Sequence, residues 1–83
     1  MDTETKIKEM IVKLLGLRSS NIDTGAKLYE GIGVDSTEMV EIRIALEKAF
    51  GVKLDEKEIS KFQSIKDISG IIDSKPKPTP GVG

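Results

Sequence analysis

The 83-residue chain contains no cysteine, no histidine and no tryptophan, and its aromatic side chains are one Tyr and two Phe. The lack of cysteine excludes disulfide frameworks and CxxC redox pairs. With histidine also missing, zinc fingers and Ser/His/Asp or Cys/His nucleophilic sites are excluded as well. No apolar run approaches the roughly 20 residues that span a bilayer. The opening MDTETKIKEM lacks the basic-then-apolar order of a secretory signal. These absences predict a soluble, cytoplasmic protein with no stable membrane insertion. Charge is nearly balanced, 13 basic against 14 acidic residues. The clustered Lys and Arg interleaved with aromatics that phosphate-backbone binding needs are missing, so nucleic acid is not an expected partner. A chain this short buries a modest core, too little for a cleft holding both cofactor and substrate. The composition therefore favours a small module whose chemistry belongs to its partners, and not an enzyme.

What is present reads as helix. Ile7, Met10, Ile11, Leu14 and Leu15 fall on one helical stripe, and Gly16 fits as its C-terminal cap. From Arg18 to Val34 no period survives, although Ile22, Leu28, Tyr29 and Ile32 are spaced as if to pin a long loop onto a core. Asp35 with Glu38 three residues on has the capping-box pattern, and the helix it starts runs to Phe50 before Gly51 stops it. Asp55 with Glu58 repeats the start signal for a short helix ending near Phe62. Ser64 with Asp67 opens another, carrying Ile65, Ile68, Ile71 and Ile72. No strand-like alternation of useful length occurs. The expected fold is all-α: a small four-helix bundle of three longer helices and one short one over residues 1–75. Residues 76–83, the end of KPKPTPGVG, are expected to form an extended, flexible Pro/Gly-rich tail.

The helix after Asp35 has two apolar faces. At about 100° per residue, Met39, Ile42, Leu46, Ala49 and Phe50 share an arc of roughly 100°, enough for a core stripe. Val40 and Ile44 lie opposite, beside Thr37 and Lys48, with Glu41 and Glu47 at the edges. Residues 35–58 hold seven acids (Asp35, Glu38, Glu41, Glu47, Asp55, Glu56, Glu58) against four bases (Arg43, Lys48, Lys53, Lys57). Two surface aliphatics need no special explanation, but an apolar centre with an acidic rim is also what a docking surface for basic partners looks like.

That face leads to Ser36. A serine before an apolar run is commonly a helix cap, yet one cap suffices. If Asp35 takes that role, Ser36 stands at the first helical position with its hydroxyl free, beside unpaired backbone N–H groups and the positive end of the helix dipole. A phosphodiester is well placed there. As a nucleophile the serine is poorly equipped: Val34 breaks the G-x-S-x-G elbow, and nothing in the sequence sets a lysine next to it. GIG at residues 31–33 is a weak dinucleotide signal, because Ser36 occupies the third glycine position and no βαβ unit is visible.

Gly33-Val34-Asp35-Ser36 entering an acidic amphipathic helix, followed by EIRIALEKAFGVKL and an isoleucine-rich last helix, resembles the acyl carrier proteins from Ile7 to about Ile72. The resemblance implies that Ser36 carries 4′-phosphopantetheine, delivered from coenzyme A by a phosphopantetheinyl transferase in the presence of a divalent cation, with Asp35 supporting the attachment. No metal site in the chain itself is implied. Acyl groups are then held as thioesters on the thiol of the arm and presented to acyl-loading and acyl-processing enzymes of fatty acid, polyketide or related biosynthesis. This accounts for a carrier without cysteine, since its sulfur is imported. Thr37, Glu38, Val40, Glu41, Ile44 and Glu47 are then the expected partner-binding residues on a monomer. Thr37 stands where the family's D-S-L motif has an apolar residue, and Arg43 and Lys48 bring positive charge to the helix, which points to a specialised member. The competing expectation is a helical protein–protein interaction adaptor in which Ser36 is a cap or a phosphorylation site.

Overall fold

The computed structural model describes residues 2–18 and 21–75; the tail expected at 76–83 lies outside them. Among the described residues there are four helices: α1, Thr3–Leu15; α2, Leu28–Gly31; α3, Ser36–Phe50; and α4, Ile65–Ser74. No residue of the described segments belongs to a strand, and Lys27 and Ser64 form an isolated antiparallel bridge.

The three longer helices start and stop where local chemistry dictates. Asp2 accepts from the Thr5 N–H at 2.7 Å to begin α1. Gly16 ends it in the left-handed region (φ 63°), with its own N–H on Lys13 and the Leu17 N–H on Val12. That pair of bonds is the Schellman arrangement, and glycine reaches its backbone conformation without the Cβ penalty. Capping boxes open α3 (Asp35 with Glu38) and α4 (Ser64 with Asp67).

Packing then follows from the stripes. Ile7 and Ile11 of α1, Ile42 and Leu46 of α3 and Ile65, Ile68 and Ile72 of α4 are fully buried against one another, each contributing about 1.5–3 kcal/mol of transfer free energy. Thr3 Oγ1 donates to Asp73 Oδ1 at 2.6 Å, tying the start of α1 to the end of α4. Lys6 reaches over the Phe50 ring, 5.9 Å from its centroid, at the last residue of α3. Two members of the expected stripes fall outside the core, since Leu14 and Ala49 are exposed. Ala49 lies at the edge of its helical arc, and Leu14 stands in the last turn of α1, one residue before its end.

The short helix lies in a different place from the one the sequence suggests. Residues 55–63 form successive turns. The Asp55 carboxylate accepts from the Lys57 N–H at 3.0 Å instead of from Glu58, and Ser60 Oγ accepts from Phe62 N–H at 3.2 Å. Such Asx- and Ser-type turns compete with helix. The carbonyls of Lys61 and Gln63 are committed elsewhere, accepting from the N–H groups of Tyr29 (2.8 Å) and Leu28 (2.9 Å). These same bonds organise the long loop, where a single helical turn, α2, forms instead. Leu28 is buried there, and Ile22 and Ile32 are partly buried, but Tyr29 is 52% exposed and does not pin the loop to the core.

Candidate functional site

The stretch before α3 is fixed by a single oxygen. The N–H groups of Ile32, Gly33 and Val34 all point at the Leu28 carbonyl, at 3.1, 3.1 and 3.2 Å. Gly33 accommodates the turn at φ 78°, and Val34 buries its side chain at 1% exposure. The chain therefore enters α3 along one path.

Asp35 caps α3 as the sequence predicts: its Oδ1 accepts from the Glu38 N–H at 2.7 Å, and Glu38 Oε1 accepts from the Asp35 N–H at 3.1 Å. Ser36 is thus the first helical residue, exposed, and not the cap. The N–H groups of Ser36 and Thr37 have no intrahelical acceptor and face the same end as the Ser36 hydroxyl.

Lysine 61 is a neighbour that sequence reasoning missed. Its ammonium donates to Ser36 Oγ at 3.4 Å, across a separation of 25 residues. It also sits 5.3 Å from the Tyr29 ring centroid and 5.5 Å from that of Phe62, and the two rings are 5.9 Å apart and tilted by 49°. No periodic signal connects positions 29, 36, 61 and 62; they meet because α2 hangs from the carbonyls of Lys61 and Gln63. Beside Ser36 a groove of about 410 Å³ runs between Met39, Val40 and Arg43 of α3 and Ile59, Lys61 and Phe62 of the turn segment.

The expected partner face divides in two. Thr37, Val40, Glu41 and Ile44 are exposed together, Val40 at 46% and Ile44 at 43%. Glu38 is committed to the capping box. Glu47 is turned away from that group: its Oε2 accepts from the Leu54 N–H at 3.0 Å, and Oε1 lies 3.6 Å from Arg43 Nη1. The same Arg43 nitrogen donates to the Leu54 carbonyl at 3.3 Å. Both polar groups of the Leu54 backbone are thereby satisfied, and the positive charge noted at Arg43 is spent within the fold.

The arrangement offers a primary hydroxyl, a cation beside it and free backbone N–H donors, a set that fits a phosphodiester. It does not fit nucleophilic catalysis: the lysine contact is long and solvent-facing, and no histidine exists to complete it. Among the described residues no group of acidic side chains is placed to hold a metal ion, and no helix is long and apolar enough to cross a membrane.

A family model described as "Phosphopantetheine attachment site" matches residues 5–72. The chain is also similar to proteins named acyl carrier protein. That of Solidesulfovibrio magneticus is 31% identical over 75 residues, spanning 90% of this chain and 96% of its own length. That of Thermotoga maritima is 34% identical over 71 residues, 86% and 88% of the two chains. The Akkermansia muciniphila protein is 34% identical over 70 residues, 84% and 88%.

Proposed function

Because this chain belongs to the acyl carrier protein family, which bears the phosphopantetheine attachment site, we propose that Ser36 is the residue to which the arm is attached. The chain is a carrier and not an enzyme, and the alternative of a simple adaptor falls away with the family. When bound, 4′-phosphopantetheine supplies the thiol on which acyl groups are held as thioesters. The carrier interacts with a phosphopantetheinyl transferase and with biosynthetic enzymes.

The observation that carries the Ser36 reading is its position: an exposed hydroxyl at the first turn of a helix already capped by Asp35, inside the matched region. Asp35 acts by holding that turn: its carboxylate accepts from the Glu38 N–H, so the serine hydroxyl takes no part in the cap. Thr37, Val40, Glu41 and Ile44 form the open part of the partner surface. Glu38 and Glu47 add charge at its edges while keeping their bonds to the backbone. Residues 1–75 act as the carrier domain, working as a cytoplasmic monomer on acyl intermediates of fatty acid, polyketide or related synthesis, and Thr37 in place of an apolar residue marks a specialised partner set.

Intact-mass analysis after treatment with coenzyme A, Mg²⁺ and a broad-specificity phosphopantetheinyl transferase tests the assignment. One phosphopantetheine should be gained, and Ser36→Ala should abolish the gain with the helical circular dichroism unchanged, since the cap is Asp35. Modification at Thr37 or at another serine refutes it.

A further inference from the structure

We propose that the Lys61 ammonium is the cation that binds the phosphodiester formed on Ser36, and that Tyr29 and Phe62 hold it in position, so that Lys61 sets the direction in which the arm leaves the protein. The inference rests on Ser36 being the attachment residue and extends it to a residue 25 positions away.

Three observations converge. First, Lys61 Nζ already lies 3.4 Å from the Ser36 oxygen that would become the ester oxygen of the linkage. The charged, non-bridging oxygens of a phosphodiester are bonded to the phosphorus that this oxygen carries, so a cation at this distance meets the anion directly. Second, the ammonium forms no ion pair among the described residues, so no described carboxylate competes with a phosphate for it. Third, it is confined. A surface lysine ordinarily samples many rotamers, but two ring faces at 5.3 and 5.5 Å restrict this one by cation–π attraction. Tyr29 and Phe62 are 52% and 60% exposed, costly positions for rings, and there they meet each other and the lysine. The N–H groups at the start of α3 add donors without net charge, and Lys61 adds the charge.

A lysine binds phosphate as a point charge, so this pairing must be salt-sensitive, and that property separates it from a packing role. Isotope-labelled protein is modified with coenzyme A and the transferase, the mass gain is verified, and the ³¹P resonance of the linkage and the Lys61 side-chain resonances are followed from about 0.01 to 1 M salt, over which the screening length falls from roughly 30 to 3 Å. The wild type should show both signals moving together with salt. Lys61→Gln should lose the salt response of the ³¹P signal, Lys61→Arg should restore it, and Tyr29→Leu with Phe62→Leu should weaken it while circular dichroism reports an intact fold. A mass gain with the same ³¹P salt response in wild type and Lys61→Gln overturns the role of Lys61 alone. Absence of the mass gain at Ser36 overturns the attachment reading, and this proposal with it.

Discussion

Ile59 and Ile68 offer a matched test of how firmly the segment between α3 and α4 belongs to the core. Both side chains are buried, at 2% and 0% exposure, and both lose the same atoms on truncation to alanine. Their surroundings differ. Ile68 sits on α4 among the isoleucines of α1 and α4, whereas Ile59 is the one buried apolar side chain between Asp55 and Gln63. The hydrophobic hold on that segment is therefore about 1.5–3 kcal/mol. Its hydrogen bonds, about 0.5–1.5 kcal/mol each in net terms, are offset by the about 1–2 kcal/mol per residue that ordering the backbone costs. A local opening of about 2 kcal/mol follows, well below global unfolding. Ile68→Ala should then cost about 3 kcal/mol, in the middle of the range for buried isoleucine. The loss for Ile59→Ala is capped near the opening free energy, about 2 kcal/mol or less, because the segment detaches before the rest unfolds. Urea denaturation measures both. The detached state has less surface left to expose, so the Ile59→Ala m-value should also fall. Equal losses with equal m-values would show that residues 55–63 unfold only with the whole domain.

Two further outcomes follow from the charges. The Glu58 carboxyl is held below its ordinary value of 4.5, first by the hydrogen bond from Lys75 and then by the backbone near Asp55. Its contribution is therefore present above about pH 4.5 and lost as pH falls through the lower folded value; Glu58→Gln should remove that part of the acid dependence of the urea midpoint, and a wild-type pH profile from the variant would refute the pairing. Glu41 is exposed on the open partner face, so Glu41→Lys should slow association with a basic partner enzyme and flatten its salt dependence, measured by stopped-flow; unchanged association across the salt series would remove Glu41 from the docking surface.

The parts legible in the sequence are those decided within a few residues. Gly16, the Asp35–Glu38 and Ser64–Asp67 boxes and Gly51 all bond to backbone about one turn away, so these residue types announce the helix ends directly. The Asp55–Glu58 pair carries the same letters and fails, because the Lys61 and Gln63 carbonyls bond to α2 and the Asp55 carboxylate turns to Lys57. Those partners are distant in the chain and leave no local pattern. The site divides in the same way. Ser36 at the first turn of α3 was readable from its neighbours, whereas Lys61 beside it and Glu47 turned onto Leu54 depend on how two loops meet.

The bond between Thr3 and Asp73 decides where this protein can be held. It sets the beginning of α1 against the end of α4, and Lys6, one turn into α1, reaches the Phe50 ring at the last residue of α3. Ser36 is the first residue of that 15-residue helix, about 21 Å away along its axis at 1.5 Å per residue. Chain entering at Thr3 and chain leaving at Ser74 therefore share one pole of the domain, and the serine stands at the other. An affinity tag, a bead surface or a fused domain joined at either side hangs from the same handle and leaves the serine facing outward.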